Sequence, residues 1–214
     1  VLFRSSTTNA VGDTSADGLD AIFNITGGSG IDIVTLDTDA DISHDIITSE
    51  SLTANLVLVA SGFESGAAAG DDDIDYNGTL LNDTATTVVG STATTLAGAL
   101  SGDVDATVYI DSGDLTGAAA STLTTLADAT TTATITSGAS AFIDALVALE
   151  GTITGLDSTI GTGETVLMAF DNGTDSVLVK FTNSDTSVAN TMTAAELEII
   201  AVVDGTVLVA SDII

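Results

Sequence analysis

The chain has 214 residues, of which 31 are acidic and 2 basic, for a formal net charge of −29 at pH 7. That balance excludes nucleic acid as a partner, disfavours anionic membrane surfaces, and makes a compact state self-repelling unless cations or salt screen it. Yet 44% of the residues are hydrophobic, too many for a disordered acidic tail, and with aromatics at 4% and no Trp the core must be built from Ala, Val, Leu and Ile.

Residues 1–5, Val1-Leu2-Phe3-Arg4-Ser5, match what the end of a sequencing adapter encodes in frame and are set aside as a scar. With neither an initiator Met nor a signal peptide, the chain reads as the C-terminal part of something longer. From Ala10 to Asn77, short apolar runs broken by Gly, Asp and Ser predict strands. They fall at Ala21–Thr26, Ile31–Leu36, Asp45–Thr48, Asn55–Ala60 and Asp73–Tyr76. Their spacing predicts an irregular parallel β-solenoid, a β-roll remnant, over residues 6–78.

Within that region, Gly27-Gly28-Ser29-Gly30-Ile31-Asp32-Ile33-Val34-Thr35 fits G-G-x-G-x-D-x-U-x, the calcium-binding nonapeptide of parallel β-helix repeats. Glycines such as Gly28 and Gly30 let carbonyl oxygens approach an ion. Asp32 adds a carboxylate, and the apolar residue two places on points inward. Calcium takes ~6–8 oxygen ligands, so one nonapeptide predicts others nearby. A degenerate copy, Ala67–Asp75, keeps Gly70, Asp72 and Ile74, with Asp73 and Asp75 as further oxygen donors; a third keeps Gly18, Asp20 and Ile22. Their separations are not multiples of nine, so no regular array is present.

The stretch Ser61–Gly78 (SGFESGAAAGDDDIDYNG) marks a boundary. Beyond it, residues 79–214 predict a mixed α+β domain, making the whole chain a β-rich α+β protein. Helical spacing covers Ser91–Leu100, Ala118–Ala129 and Ala139–Glu150, the last with Phe142, Leu146 and Leu149 on one face and Asp144 off it. Strands are expected at Ala106–Ile110, Thr132–Thr136, Thr165–Phe170, Ser176–Phe181, Glu198–Val203 and Val207–Ala210. An Asn-Gly turn in Asp171-Asn172-Gly173-Thr174 joins two of them into a hairpin. The apolar runs, interrupted by Thr, Asp and Gly, predict no transmembrane helix.

GGSGIDIVT, the SGFESG…DDDIDYNG block and the ending Ala210-Ser211-Asp212-Ile213-Ile214 together resemble the C-terminal region of RTX-type proteins. The resemblance implies calcium as the cofactor, secretion to the cell surface or the medium, and a type I secretion apparatus as partner, reading a signal at the extreme C-terminus. A Cys-free chain suits that route, since no disulfide has to form. Low internal calcium leaves the acidic clusters repelling one another, and high external calcium favours folding.

Asn183, Asp185 and Glu196 are spaced somewhat like the oxygen ligands of an EF-hand loop, although Glu196 falls two places late and Val188 stands where Gly belongs. His44 is the only histidine and no nucleophile motif accompanies it, so the chain is expected not to be an enzyme. Three functional classes remain. The first is a non-enzymatic, calcium-responsive C-terminal module serving export and folding. The others are a self-associating S-layer or filament subunit joined through strand edges, and the tail of a secreted hydrolase.

Overall fold

Three runs in the second half, Thr165–Asp171, Ser176–Thr182 and Leu197–Val203, are apolar at nearly every position. Only a strand covered on both faces favours such a run, and these three lie side by side inside the main sheet. The computed structural model describes residues 8–11, 21–26, 30–36, 42–49, 56–66, 71–77, 88–91, 108–111, 115–150, 162–184 and 192–213.

In chain order the elements are β1 (Thr8–Val11), β2 (Ala21–Thr26), β3 (Ile31–Leu36), β4 (Ile42–Ser49), β5 (Leu56–Ser61) and β6 (Asp73–Asn77). Then come β7 (Val88–Ser91), β8 (Val108–Asp111), α1 (Gly117–Ala127), α2 (Thr132–Glu150), β9 (Thr165–Asp171), β10 (Ser176–Thr182) and β11 (Leu197–Val203). An eight-stranded sheet has the order β1-β3-β5-β11-β10-β9-β8-β7, and a three-stranded sheet the order β2-β4-β6. Among the first six strands, odd and even members alternate between the two sheets. From β3 to β6, each pairs in parallel with the strand two places earlier. The main sheet continues across the expected boundary near residue 78, because β5 also pairs in parallel with β11.

Helices cover one face of the main sheet. Leu123 and Leu126 of α1 and Ile135, Phe142 and Leu146 of α2 pack with Leu58, Val166, Met168, Val177 and Val179. On the other face Val34, Val57, Val59, Leu167 and Leu178 meet Ile74 and Tyr76 of β6. The result is three layers, so β9, β10 and β11 are continuously apolar, whereas β3 alternates because Ile31 and Ile33 on its helix side are only partly buried. A bulge opposite Leu178 and Val179 shifts the alternation in β11, so Ile200 and Ala201 both face the second layer. Lys180 on β10 pairs with Glu198 on β11 at 2.5 Å.

The strands expected at Ala21–Thr26 and Ile31–Leu36 coincide with β2 and β3. The hairpin forms as expected, β9 pairing antiparallel with β10. Two strand expectations are corrected. Thr132–Thr136 is the first turn of α2, where Thr131 and Thr134 exchange side-chain and backbone hydrogen bonds at 3.2 Å and the Thr136 hydroxyl donates to Thr132 O at 2.8 Å. The cap and the burial of Ile135 outweigh the β-branched run. Val207–Ala210 is not a strand: Leu208 N donates to Ser176 Oγ and Val209 N to Asp212, and a 3₁₀ turn follows at Ala210–Asp212.

Phe142 and Leu146 are buried as expected, whereas Leu149 is 41% exposed. Among the described residues one helix is long and apolar enough to cross a membrane by length and composition alone. Thr132–Leu149 of α2 has a mean hydropathy of 1.4, because Thr, Ser and Gly interrupt an apolar run far less than charges do. Of the helix expected at Ser91–Leu100, residues 92–100 lie outside the described residues, while Ser91 ends β7.

Gly62 follows β5 with φ +86°, and a Cβ there would sit 2.2 Å from the carbonyl oxygen of Leu36 on β3. Gly173 has a similar φ of +87° but open space around it. Gly173→Ala should therefore cost about 1–2 kcal/mol from backbone strain alone. Gly62→Ala adds a clash with backbone and should cost about 3 kcal/mol or more. Urea unfolding of the two variants compares them directly.

Candidate functional site

A strand directs residues two apart to one face, so in the nonapeptide Asp32 shares its face with Val34. Both are buried, Asp32 at 3% exposure. The Oδ1 of Asp32 is fully buried and forms no hydrogen bond among the described residues, although the residue is engaged through other interactions. Gly30, just before β3, has φ +110°, a conformation that glycine adopts readily. The degenerate copy repeats the arrangement: Asp72 and Ile74 are both buried at the start of β6. Gly28, Gly70 and Asp185 lie outside the described residues, as do the Asp20 copy's turn and the side chain of His44.

Asp72 also closes a loop. Its Oδ2 accepts from Glu64 N at 2.9 Å, and its own N–H donates to Glu64 O at 2.7 Å. This reciprocal pair gathers the SGFESG segment onto the start of β6. Asp73 and Asp75 lie on β6 and are half-buried. Among the described residues no three His, Cys, Asp or Glu side chains are grouped to hold a metal ion.

Asn183 and Glu196 flank the segment that suggested an EF-hand-like loop, and both are buried. Oε1 of Glu196 accepts from Ser184 N at 2.9 Å and Ser184 Oγ at 2.7 Å; Oε2 accepts from Thr193 N and Oγ1, each at 2.9 Å. These bonds fasten the end of β10 to the start of β11. Burial pushes the carboxyl's pKa up, but the donors from Ser184 and Thr193 outweigh it and hold the group below its usual range. A cation at Glu196 would have to displace donors already in place.

Two clusters were not singled out from the sequence. At the hairpin, Asp175 is buried, with Oδ1 accepting from Gly205 N at 3.1 Å and Oδ2 from Thr124 Oγ1 at 3.2 Å and Asn172 Nδ2 at 3.0 Å. Burial and then repulsion from Asp175 and Asp128 raise the neighbouring Asp204 carboxyl. The local Asn-Gly-x-Asp spacing was the available signal, since Asn172 Oδ1 accepts from Thr174 N and Asp175 N.

The second cluster surrounds Asp212, which is 0% exposed. Its Oδ2 accepts from Ser65 Oγ at 2.6 Å and Val209 N at 2.8 Å, and its Oδ1 from Gly66 N at 2.9 Å. Burial raises this carboxyl, the three donors hold it back, and Asp71 adds a further push upward. The chain's ending is thereby bonded to the SGFESG block, two segments that carry the resemblance. Comparisons with protein-family models, curated proteins and solved structures find no match.

The two shifted carboxyls have opposite pH signatures. Glu196, lowered in the fold, contributes stability that is present above the ordinary carboxylate range and lost as pH falls through its lowered value. Asp212, raised, contributes stability in acid that fades as pH rises through its raised value. Glu196→Ala strands two backbone donors and should lower stability by about 2–3 kcal/mol at neutral pH. In a pH series of melts the gap from wild type should hold at pH ~6–8 and shrink below pH ~4.

Proposed function

We propose that this chain is a non-enzymatic, calcium-responsive C-terminal module of a secreted surface or extracellular protein, serving export and folding. One observation carries the reading. The first six strands alternate between the two sheets and pair in parallel with one another, as the strands of an irregular β-roll of three two-strand turns would. Where the calcium nonapeptide and its degenerate copy enter that path, each buries its Asp together with the apolar residue two places on.

The charge favours the same reading. A net charge of −29 opposes compaction, and divalent cations relieve that repulsion more effectively than monovalent salt. Within the proposal Asp32 and Gly30, with Gly28, contribute to a calcium site entered at β3, and Gly70, Asp72, Asp73 and Asp75 are the second candidate set. Asn183, Asp185 and Glu196 are the weakest, because Glu196 already has four donors. The C-terminal Ser211-Asp212-Ile213-Ile214 is the segment a type I exporter would read before folding.

A second reading rests on the strand order: β1 and β2 are the outer strands at the N-terminal end of both sheets. Edge strands accept further strands, so copies of the chain would associate there once calcium screens their acids. Light scattering during a calcium titration distinguishes the readings, growth in mass favouring the assembly.

The main test is thermal. At calcium ~100-fold above its dissociation constant, one site adds ~2.7 kcal/mol, so melts in chelator and in calcium at matched ionic strength should differ by several degrees. Asp32→Ala should remove most of the difference. Equal melting temperatures for the wild type would reject the calcium reading. Separately, deletion of roughly the last sixty residues should trap the product inside a host that carries a matching exporter, and continued secretion would reject the export reading.

A further inference from the structure

The residues after β11 do not trail away from the fold. They run from the main sheet towards the smaller one, bonding at nearly every step to the β5–β6 connection. Asp204 N donates to Val59 O on β5 at 2.9 Å. Thr206 Oγ1 donates to Phe63 O at 3.1 Å, and Ser65 Oγ reaches both Val207 O at 3.1 Å and Asp212 Oδ2 at 2.6 Å. Gly66 N donates to Asp212 Oδ1, Ser211 Oγ to Gly66 O, and Ile213 makes a parallel bridge with Ile74 of β6. Leu208 and Ile213 are buried in the same apolar cluster as Phe63, Ile74 and Tyr76.

We infer that Asp204–Ile213 is a strap, anchored by the buried carboxylate of Asp212, that makes seating of the chain's end and closure of the β5–β6 loop a single event. Each side supplies what the other lacks. Without the tail, Ser65 Oγ and Gly66 N lose their acceptor and the Phe63–Ile74 cluster loses Leu208 and Ile213. Without the loop, a carboxylate in an apolar setting loses two of its three donors, which an anion does not tolerate. Intermediate states with one side seated are therefore disfavoured, so exposing the last residues requires opening the end of both sheets. The strap acts on local unfolding alone, whether or not an exporter reads the tail.

Amide hydrogen exchange on the full chain tests it. The reporters are amides whose own hydrogen bonds do not involve Asp212: Glu64 and Asp72 in the loop, bonded to one another, and Leu208 in the tail, bonded to Ser176 Oγ. Amides of Val177–Phe181 in β10 serve as the internal reference. Asp212→Ala should lower protection of loop and tail reporters together, by about ten-fold or more, with the β10 amides unchanged. Ser65→Ala, which keeps the Gly66 and Val209 donors, should lower both by a smaller common factor. It carries the comparison if Asp212→Ala fails to fold. Loss of protection at Leu208 with Glu64 and Asp72 unaffected would overturn the strap, as would no change at either.

Discussion

A chain with 31 acidic and 2 basic residues cannot neutralise its buried carboxylates by ion pairing, and this constraint governs how the loops are held. Asp72, Asp171, Asp175, Glu196 and Asp212 are all buried. Each takes its donors from backbone N–H groups, hydroxyls or an amide: Glu64 for Asp72, Gly173 for Asp171, Gly205 and Thr124 for Asp175, Ser184 and Thr193 for Glu196, Ser65 and Gly66 for Asp212. Donors of this kind satisfy buried carboxylate oxygens without a cationic partner. In a Cys-free chain these carboxylates also do the work of cross-links. Glu196 joins the end of β10 to the start of β11, Asp175 joins the hairpin to α1 and to the turn after β11, and Asp212 joins the chain's end to the β5–β6 loop.

That division explains what could be read in advance. Strand periodicity is local, so β2 and β3 were legible to the residue, and the Asn-Gly hairpin followed from turn chemistry. The pairing of Asp with an inward apolar residue in GGSGIDIVT and its degenerate copy was equally local. The tying role of a carboxylate is not. Ser65 and Asp212 are 147 residues apart, and nothing in either segment's composition announces the other. Thr132–Thr136 failed for a related reason: its β-branched residues favour a strand, but Thr131 and Thr134 cap a helix whose Ile135 has a core to enter. Val207–Ala210 looked like a strand because Val and Leu alternate there, yet side-chain acceptors take the backbone donors at Leu208 and Val209.

Holding carboxylates with neutral donors solves burial without lowering the net charge. The residual repulsion is spread over the surface, where single ion pairs contribute little and screening is effective over ~8–10 Å. Stability in such a chain is therefore sensitive to the ionic medium as a whole. A requirement for a divalent ion at one place, as distinct from screening, shows only when ionic strength is held constant. Asp32 differs from the tying carboxylates in where it sits, inside a strand between two parallel neighbours, β1 and β5.

The connectivity of the sheets adds a kinetic consequence. β5 belongs to the alternating strands of the first half, but its second neighbour in the main sheet is β11, and β6 is bridged by Ile213. Both strands that end the first half are thus completed by residues from the last part of the chain. Contacts over such separations form late, because the loop closing them carries a large entropy cost that is recovered only when the pairing is made. Until the final residues are available, the open edge of β5 and the unfilled cluster around Phe63 and Ile74 leave the first half short of a stable fold. Pairing of β5 with β11 and of Ile74 with Ile213 therefore waits on the last part of the chain.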